Sequence, residues 1–331
     1  MTYLNSFTRW LESQNLDAKT ISAYRRAVEA FAVWYHWETG QEFSPEALDG
    51  SLLHRFSSDP APYGLRGRKQ ERPSPATRNK MVAGLRVFCR WAREAGYVSE
   101  DLSRNLGFVV GFPKEPRALE PEEERRLIRY INDQVKVATM AKSRERRLQA
   151  LRNRALIGAG LFLGLRAEEA VSLTWEQLVL RAGAAEAKDV VGKYGFVRTI
   201  PMPNIARRWF LALKEALLEA GEFQSSGPVF LSQKGGRLSA RALQHMVREL
   251  AAAVQIPDLT FHVLRHTYGS NLVARGVPLP TVARLMGHIR RSGDPNIATT
   301  ARYTLPRRGE LLQAVGGLDF EDGSEKPKLT E

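Results

Sequence analysis

The sequence predicts a mainly α-helical protein in two parts, with one small antiparallel sheet in the second. Three observations carry this expectation. Apolar residues recur at helical spacing over much of the 331-residue chain. A proline-punctuated stretch, Gly111-Phe112-Pro113-Lys114-Glu115-Pro116-Arg117, interrupts them. Beyond it, Val190 to Ile200 holds two β-rich runs around a glycine-bounded turn. A chain this long exceeds the usual size of one domain, so the expected division is 1–113, 114–318 and a polar, acidic, disordered tail at 319–331.

In the first part, Leu4, Phe7 and Leu11 share one helical face, and Thr20 to Tyr35 repeats the pattern with Ile21, Tyr24, Val28, Phe31 and Val33. A loop rich in Pro, Gly and Arg runs from Pro60 to Pro73. Ser74-Pro75 then opens a helix, serine as cap and proline in the first turn, with Val82, Leu85, Val87, Phe88 and Trp91 on its packing side. Its first turns carry Thr77, Arg78, Asn79 and Lys80, next to Arg66, Arg68, Lys69 and Arg72 of the loop. These are the residue types that a reader of the DNA major groove offers, and equally those of a solvated helix face beside a loop.

In the second part, Leu119 and Pro121-Glu122-Glu123-Glu124 suit a helix start, where the dipole favours acidic side chains. Ala138 to Arg154 reads as a basic helix, and Ala155 to Leu163 as a buried one that Gly164 ends. After the hairpin, Phe230-Leu231-Ser232 is a candidate strand. A basic turn with Lys234 and Arg237 comes next, then a helix capped by Ser239 that carries Arg241, and these three cations are expected to face DNA. Thr260 caps the next helix, Pro280-Thr281 starts another that ends at Gly287, and Thr299 to Thr304 begins a short one.

Charge narrows the function. Lys and Arg number 49 against 36 Asp and Glu, a net +13 spread along the whole chain. That balance points to a polyanion, nucleic acid before an anionic membrane. No apolar run approaches a membrane span and the first residues lack a signal-peptide pattern, so a cytoplasmic, nucleoid-associated protein is expected. Cys89 is the single cysteine, set in an apolar helical pattern; it can form no internal disulfide, which fits a reducing compartment.

Several polar residues sit where chemistry is possible. Arg166 stands between a buried helix and its successor, with Glu169 three residues on to hold it while an anion takes its other side, or simply to pair with it. Lys193 lies at the hairpin tip. His262 falls in the first turn of the Thr260 helix, where unpaired N–H groups favour an anion, and Arg265 shares its face. A histidine beside a permanent cation suits a phosphate, although a lone H-x-x-R also suits a capped helix with a solvated arginine. His266 is the next residue on, His288 comes just after Gly287, and Tyr303 is the one tyrosine beyond His288.

Taken in order, Gly164-Leu165-Arg166-Ala167-Glu168-Glu169, Gly192-Lys193, His262-Val263-Leu264-Arg265-His266-Thr267, Leu285-Met286-Gly287-His288 and Ala301-Arg302-Tyr303-Thr304 resemble the active-site text of the tyrosine recombinases, the phage-integrase and Xer-like site-specific recombinases. The resemblance covers nearly the whole chain, because residues 1–113 look like that family's helical core-binding domain, a SAM-like fold. It implies a DNA breaking-rejoining fold and a metal-free, cofactor-free reaction in which Tyr303 attacks a DNA phosphodiester and forms a covalent 3′-phosphotyrosine. On the same ground Arg166 and Arg265 would neutralise the non-bridging oxygens, and His262 and His288 would hydrogen bond them, one taking the tyrosine proton. Lys193 would protonate the leaving 5′ oxygen, Glu169 would hold Arg166, and His266 would be a supporting, structural residue. Because the covalent bond conserves energy, no ATP is required, and the chain has no G-x-x-x-x-G-K-[ST] loop.

The expected protein is therefore a site-specific DNA recombinase acting as a homotetramer on two double-stranded sites, a dimer on each, with or without an accessory protein or second recombinase. Helical sequence begins at Thr2, which favours a simple Xer-like or mobile-element enzyme over one with an added N-terminal arm-binding domain. The two domains are expected to clamp duplex DNA, and a helix near Arg307 to Ala314 to dock on a neighbouring subunit. One departure from the family pattern stands out: the loop from His288 to Tyr303 is long, through Arg290-Arg291-Ser292-Gly293-Asp294-Pro295, which leaves open whether Tyr303 acts in its own subunit. Three other readings use the same residues: a topoisomerase-like nicking and rejoining enzyme, a catalytically silent DNA-binding protein, and a metal nuclease built on His262, His266 and His288.

Overall fold

A computed structural model describes residues 2–58, 74–111, 117–290 and 292–316. The chain divides into two compact units, Met1–Lys114 and Glu115–Glu331. Arg66, Arg68, Lys69 and Arg72, the residues around 113 and the tail from 319 all lie outside the described residues. Among the described residues no helix is long and apolar enough to cross a membrane.

Among its described residues the first unit has no strand. Its elements are α1 (Thr2–Ser13), α2 (Ala18–Thr39), α3 (Gly50–Ser58) and α4 (Pro75–Glu94). Asp17 and Ser74 cap α2 and α4 by accepting from the N–H groups of Thr20 and Thr77. Phe7, Phe31, Phe56 and Phe88 are fully buried where the four helices meet. Several of the ring pairs are edge-to-face, the arrangement favoured by the ring quadrupole. Cys89 belongs to this core, and burial pushes its thiol up to about 12, so it packs as an inert apolar group.

The second unit surrounds a larger apolar core. It comprises α5 (Pro121–Met140), α6 (Arg144–Leu161), α7 (Ala167–Ser172), β1 (Leu178–Val179), β2 (Glu186–Val191), β3 (Val197–Pro201), α8 (Asn204–Glu219), α9 (Ala240–Ala253), α10 (Phe261–Ala274), α11 (Leu279–Met286), α12 (Ile297–Thr300) and α13 (Arg308–Gly316). The three strands form one antiparallel sheet in the order β1-β2-β3. Two local expectations differ from what is found. The basic stretch from Ala138 is broken at Ala141 to Ser143, where Lys142 takes a left-handed φ of 50° and Ser143 caps α6. Phe230 to Ser232 forms no strand; Leu231 makes only an isolated bridge to Arg237.

Register explains the hairpin's faces. Val190 pairs with Arg198 and Ala187 with Ile200, with a shift between Ala187 and Val190. Strict alternation would put Ala187 and Val190 on opposite faces, yet both are buried, and the bulge with Asp189 at φ 50° reconciles them. On β3 the alternation is regular. It turns Arg198 and Ile200 inward together.

The turn after α6 aims the chain at α10. Gly164 has φ +60°, a conformation that disfavours side chains, and a Cβ there would meet the Tyr268 ring at 2.3 Å. The Leu165 N–H returns to the Ala159 carbonyl at 3.0 Å, closing the helix end. Arg166 is thereby placed at the start of α7, and the Gly164 carbonyl faces Arg265 on α10.

Candidate active site

Glu169 is the hub. It is buried in the first turn of α7, where its carboxylate accepts from the Arg166 N–H at 2.9 Å and from Arg166 Nη1 at 2.7 Å. From β3, Arg198 donates to both carboxylate oxygens, Nη1 to Oε1 at 3.2 Å and Nη2 to Oε2 at 2.8 Å. From α10, Arg265 Nη1 stands 3.7 Å from Oε2. Burial by itself would raise this carboxyl, but hydrogen bonds and charge from Arg198 and Arg166 reverse the effect and hold it at about 2. One negative charge thus organises three positive ones.

The three arginines are not equally placed. Arg166 Nη2 donates to the Gly287 carbonyl at 3.0 Å, and its side chain is one-third exposed. Arg265 is fully buried. Its Nη1 donates to Gly164 O at 2.5 Å, and its Nη2 to Met286 O and to His288 Nε2, the latter at 3.1 Å. Burial first, and then the Arg166 charge, brings Arg265 down to about 10, which leaves it a cation at neutral pH. Arg198, which sequence reasoning did not single out, completes its shell with Nε to Leu285 O at 3.0 Å.

The rings stack beside this cluster. Tyr303, in the turn of 3₁₀ helix Ala301–Thr304, is buried with its ring 5.6 Å from that of His288 and nearly parallel to it. His266 flanks it at 5.1 Å. Desolvation raises the Tyr303 phenol, opposed by Arg265, Arg166 and Arg302. Burial, then Arg265, lowers His288 to about 3, while burial, then His262, lowers His266 to about 4. His262 is exposed and shifted down for the same reasons, desolvation and then Arg265.

Hydrogen-bond logic fixes the tautomers. Thr300 Oγ1 already donates to Asn296 O, so at 3.2 Å it accepts from His288 Nδ1–H. His288 Nε2 is then the acceptor for Arg265. His266 Nε2 and His262 Nε2 share one hydrogen bond of 2.8 Å. Buried His266 Nδ1 has no partner, and a bare lone pair costs less there than an orphaned N–H, so His266 carries its proton on Nε2 and donates to His262.

The long loop before Tyr303 folds back on itself. Ile289 bridges Pro295, Arg290 N–H bonds Asp294 O at 2.9 Å, and Asn296 N–H bonds His288 O at 2.7 Å. The residues beyond this closure, capped by Asn296, therefore start at His288 regardless of the excursion. Lys193, by contrast, is exposed at the β2–β3 turn with its ammonium 4.7 Å from the Tyr194 ring centre. No hydrogen bond or ion pair among the described residues joins it to the cluster.

The surface candidates separate into two groups. Thr77, Lys80, Lys234, Arg237 and Arg241 are exposed. Arg78 and Asn79 instead serve the first unit's own backbone: Arg78 donates to Ser57 O, and the Asn79 amide bonds both the N–H and the carbonyl of Val109 at 2.8 and 2.9 Å. The groups that claim the two side chains are remote in sequence, 21 and 30 residues away, so no local signal shows these bonds. Among the described residues no three His, Cys, Asp or Glu side chains are grouped to hold a metal ion.

A model of the phage integrase family matches residues 118–308. The chain is 28% identical over 318 residues to the tyrosine recombinase XerC of Pelobacter propionicus, covering 95% of this chain and 93% of that protein. It is likewise 28% identical over 320 residues to the tyrosine recombinase XerD of Haemophilus influenzae, at 95% and 97% coverage. Among solved structures, its fold is similar to the XerH site-specific recombinase in a post-cleavage complex with palindromic difH substrate, with a TM-score of 0.68 at 21% identity over 93% of this chain and 82% of that one. The Tn1549 transposon integrase in complex with transposon right-end DNA shares the fold at a TM-score of 0.63 and 16% identity, over 96% and 99%.

The depressed histidines give a pH dependence. His266 and His288 stay neutral in the folded protein down to about 4 and about 3, whereas the unfolded chain binds their protons near pH 6.5. Stability is then complete above about pH 6.5 and is lost as pH falls through the window below it. Glu169, held at about 2, adds its own loss only below the ordinary carboxylate range. Between about pH 7.5 and about pH 5 the second unit should lose on the order of 2 kcal/mol for each ring, and His288→Gln should flatten that slope. Thermal melts across the window check it; a midpoint that does not move would mean that the rings are solvated.

Proposed function

The chain belongs to the phage integrase family, whose chemistry is the cleavage and rejoining of DNA strands, and we propose that Tyr303 is the nucleophile of a site-specific recombination reaction. The observation that carries this is the packing of Tyr303 against His288 and His266 beside three arginines that share one carboxylate. A phosphodiester seated there meets two positive charges beyond those Glu169 balances. That excess is what a phosphoryl-transfer transition state requires in place of a metal.

In the proposed step, the Tyr303 oxygen forms a bond to phosphorus as the bond to the 5′ oxygen breaks. The phenol proton passes to the hydrogen-bonded pair His266 and His262, whose nearer ring lies against Tyr303. Burial is the first cause that lowers both rings at rest, and a phosphate's negative charge works against the arginine repulsion that adds to it. Lys193 gives its proton to the 5′ oxygen, and the reverse sequence rejoins the strands. Arg166, the partly exposed arginine, meets the phosphate first; Arg265 acts from beneath through His288 and Tyr303. Thr77, Lys80, Lys234, Arg237 and Arg241 present charge and hydroxyls to the DNA backbone. The reaction takes place in the cytoplasm, at the nucleoid.

Covalent trapping tests the nucleophile. A nicked duplex site should give an SDS-resistant adduct that survives EDTA and vanishes in Tyr303→Phe. Binding with no adduct under any condition would instead mark a silent DNA-binding protein, and cleavage that needs metal would overturn the assignment.

The closure of the loop at His288 supports attack within one chain. Mixing Tyr303→Phe subunits with Arg166→Ala subunits should then leave cleavage absent; recovery of activity in the mixture would show delivery between subunits.

Recombination needs two sites brought together, so a tetramer is part of the proposal. Leu311, Leu312 and Val315 on α13 are exposed and apolar, a surface suited to a second copy of the chain. Deleting residues from Gly309 onward should reduce two-site assembly far more than binding to one site, as read by gel mobility. Equal loss of both argues against this role for α13.

A further inference from the structure

We propose that Arg198 is a positioning residue for the cleavage step: through Glu169 it holds the Lys193 turn in place relative to Arg166 and His288. The inference rests on the reading of Lys193 as the proton donor to the leaving oxygen.

A buried guanidinium is unfavourable unless every donor finds a partner. Arg198 is 7% exposed, at an inward position of β3 where an apolar residue would be expected. Its partners come from two other elements, both oxygens of Glu169 on α7 and the Leu285 carbonyl near the end of α11. Its faces are covered by two glycines. A Cβ on Gly192 would stand 3.1 Å from Arg198 Nη1 and 3.4 Å from Glu169 Oε1, and a Cβ on Gly287 would stand 2.9 Å from Nη1 and 3.0 Å from Cζ.

Those glycines are the residues immediately before Lys193 and His288. The guanidinium is therefore packed between the backbone that carries the proposed acid and the backbone that carries a ring of the nucleophile's stack. Arg166 ties into the same assembly through Glu169 and the Gly287 carbonyl. The Lys193 turn is closed by Gly192 N–H to Phe196 O at 2.7 Å. The β2–β3 ladder holds the hairpin together as far as Val191 and Val197, and the approach of Gly192 to the Arg198–Glu169 pair places its turn against Arg166 and His288. Lysine cannot replace Arg198 here, because a single ammonium cannot span both carboxylate oxygens and the Leu285 carbonyl in the planar geometry.

The chemistry supplies a selective readout. When the P–O5′ bond breaks, the leaving oxygen takes a proton from the Lys193 ammonium, leaving the neutral amine. With sulfur in place of that bridging oxygen, the thiolate leaves unprotonated, since a thiol is a far stronger acid than an alcohol. Single-turnover cleavage of nicked duplexes with either atom at the scissile bond should be measured for the full chain and for Lys193→Ala, Arg198→Met, Arg198→Lys and Gly192→Ala.

Lys193→Ala should lose ~10²-fold or more on the oxygen substrate and recover on sulfur. Arg198→Met and Arg198→Lys should fall by about 10- to 100-fold on oxygen, as misplacement by an ångström does, and recover largely on sulfur. Gly192→Ala, which keeps the ion pair and crowds it by a few tenths of an ångström, should show a smaller loss of the same kind. It keeps the test decisive if the Arg198 variants do not fold. If the Arg198 and Gly192 variants are equally slow on both substrates while Lys193→Ala recovers, Arg198 does not position the acid. If Lys193→Ala itself fails to recover, the assignment of Lys193 falls, and the role proposed for Arg198 falls with it.

Discussion

Three guanidinium groups converge on the carboxylate of Glu169, and the placement of the second unit's reactive side chains depends on that imbalance. A buried anion with one cation would be a neutral pair with nothing left over. Here Arg198 and the inner side of Arg166 satisfy the carboxylate, while Arg265 is held by carbonyls at helix ends. Positive charge is thus concentrated without collapsing onto the acid. The turn after α6 and the elements α7, α10, α11 and β3 all contribute a group to this arrangement, so their relative positions are set by polar bonds as well as by apolar packing.

The rings add a second layer whose order is dictated by the first. Arg265 donates to His288, which obliges that ring to present a lone pair inward and its N–H to Thr300. The stack of Tyr303 on His288 then hides the phenol and keeps it protonated at rest.

Much of this arrangement is readable from residue types and spacing. The caps at Ser74 and Thr260, the glycine ends at Gly164 and Gly287 and the hairpin around Lys193 are local signals, and local hydrogen bonds produce them. Arg198 is not readable in the same way, because its burial depends on the Val190–Arg198 register and on a neighbouring bulge in β2. One signal is present: an arginine alternating in phase with Ile200 in a β-rich run is a charge on a core-facing position. Arg78 and Asn79 at the start of α4 bond Ser57 and Val109, partners remote in sequence that no local signal shows. The β1 strand is two residues long and carries no periodicity to detect.

The excursion from Ile289 to Pro295 begins and ends at one backbone pairing, Asn296 N–H to His288 O, which lies outside it. The geometry downstream is therefore insulated from whatever the excursion contains. Lengthening a flexible loop costs only about 0.6 kcal/mol for each doubling, so the segment can vary in length and sequence during divergence without shifting Tyr303. It is the place in this unit where lineage-specific contacts can be added with little disturbance, and where a foreign peptide could be spliced in with His288 and Tyr303 kept in place.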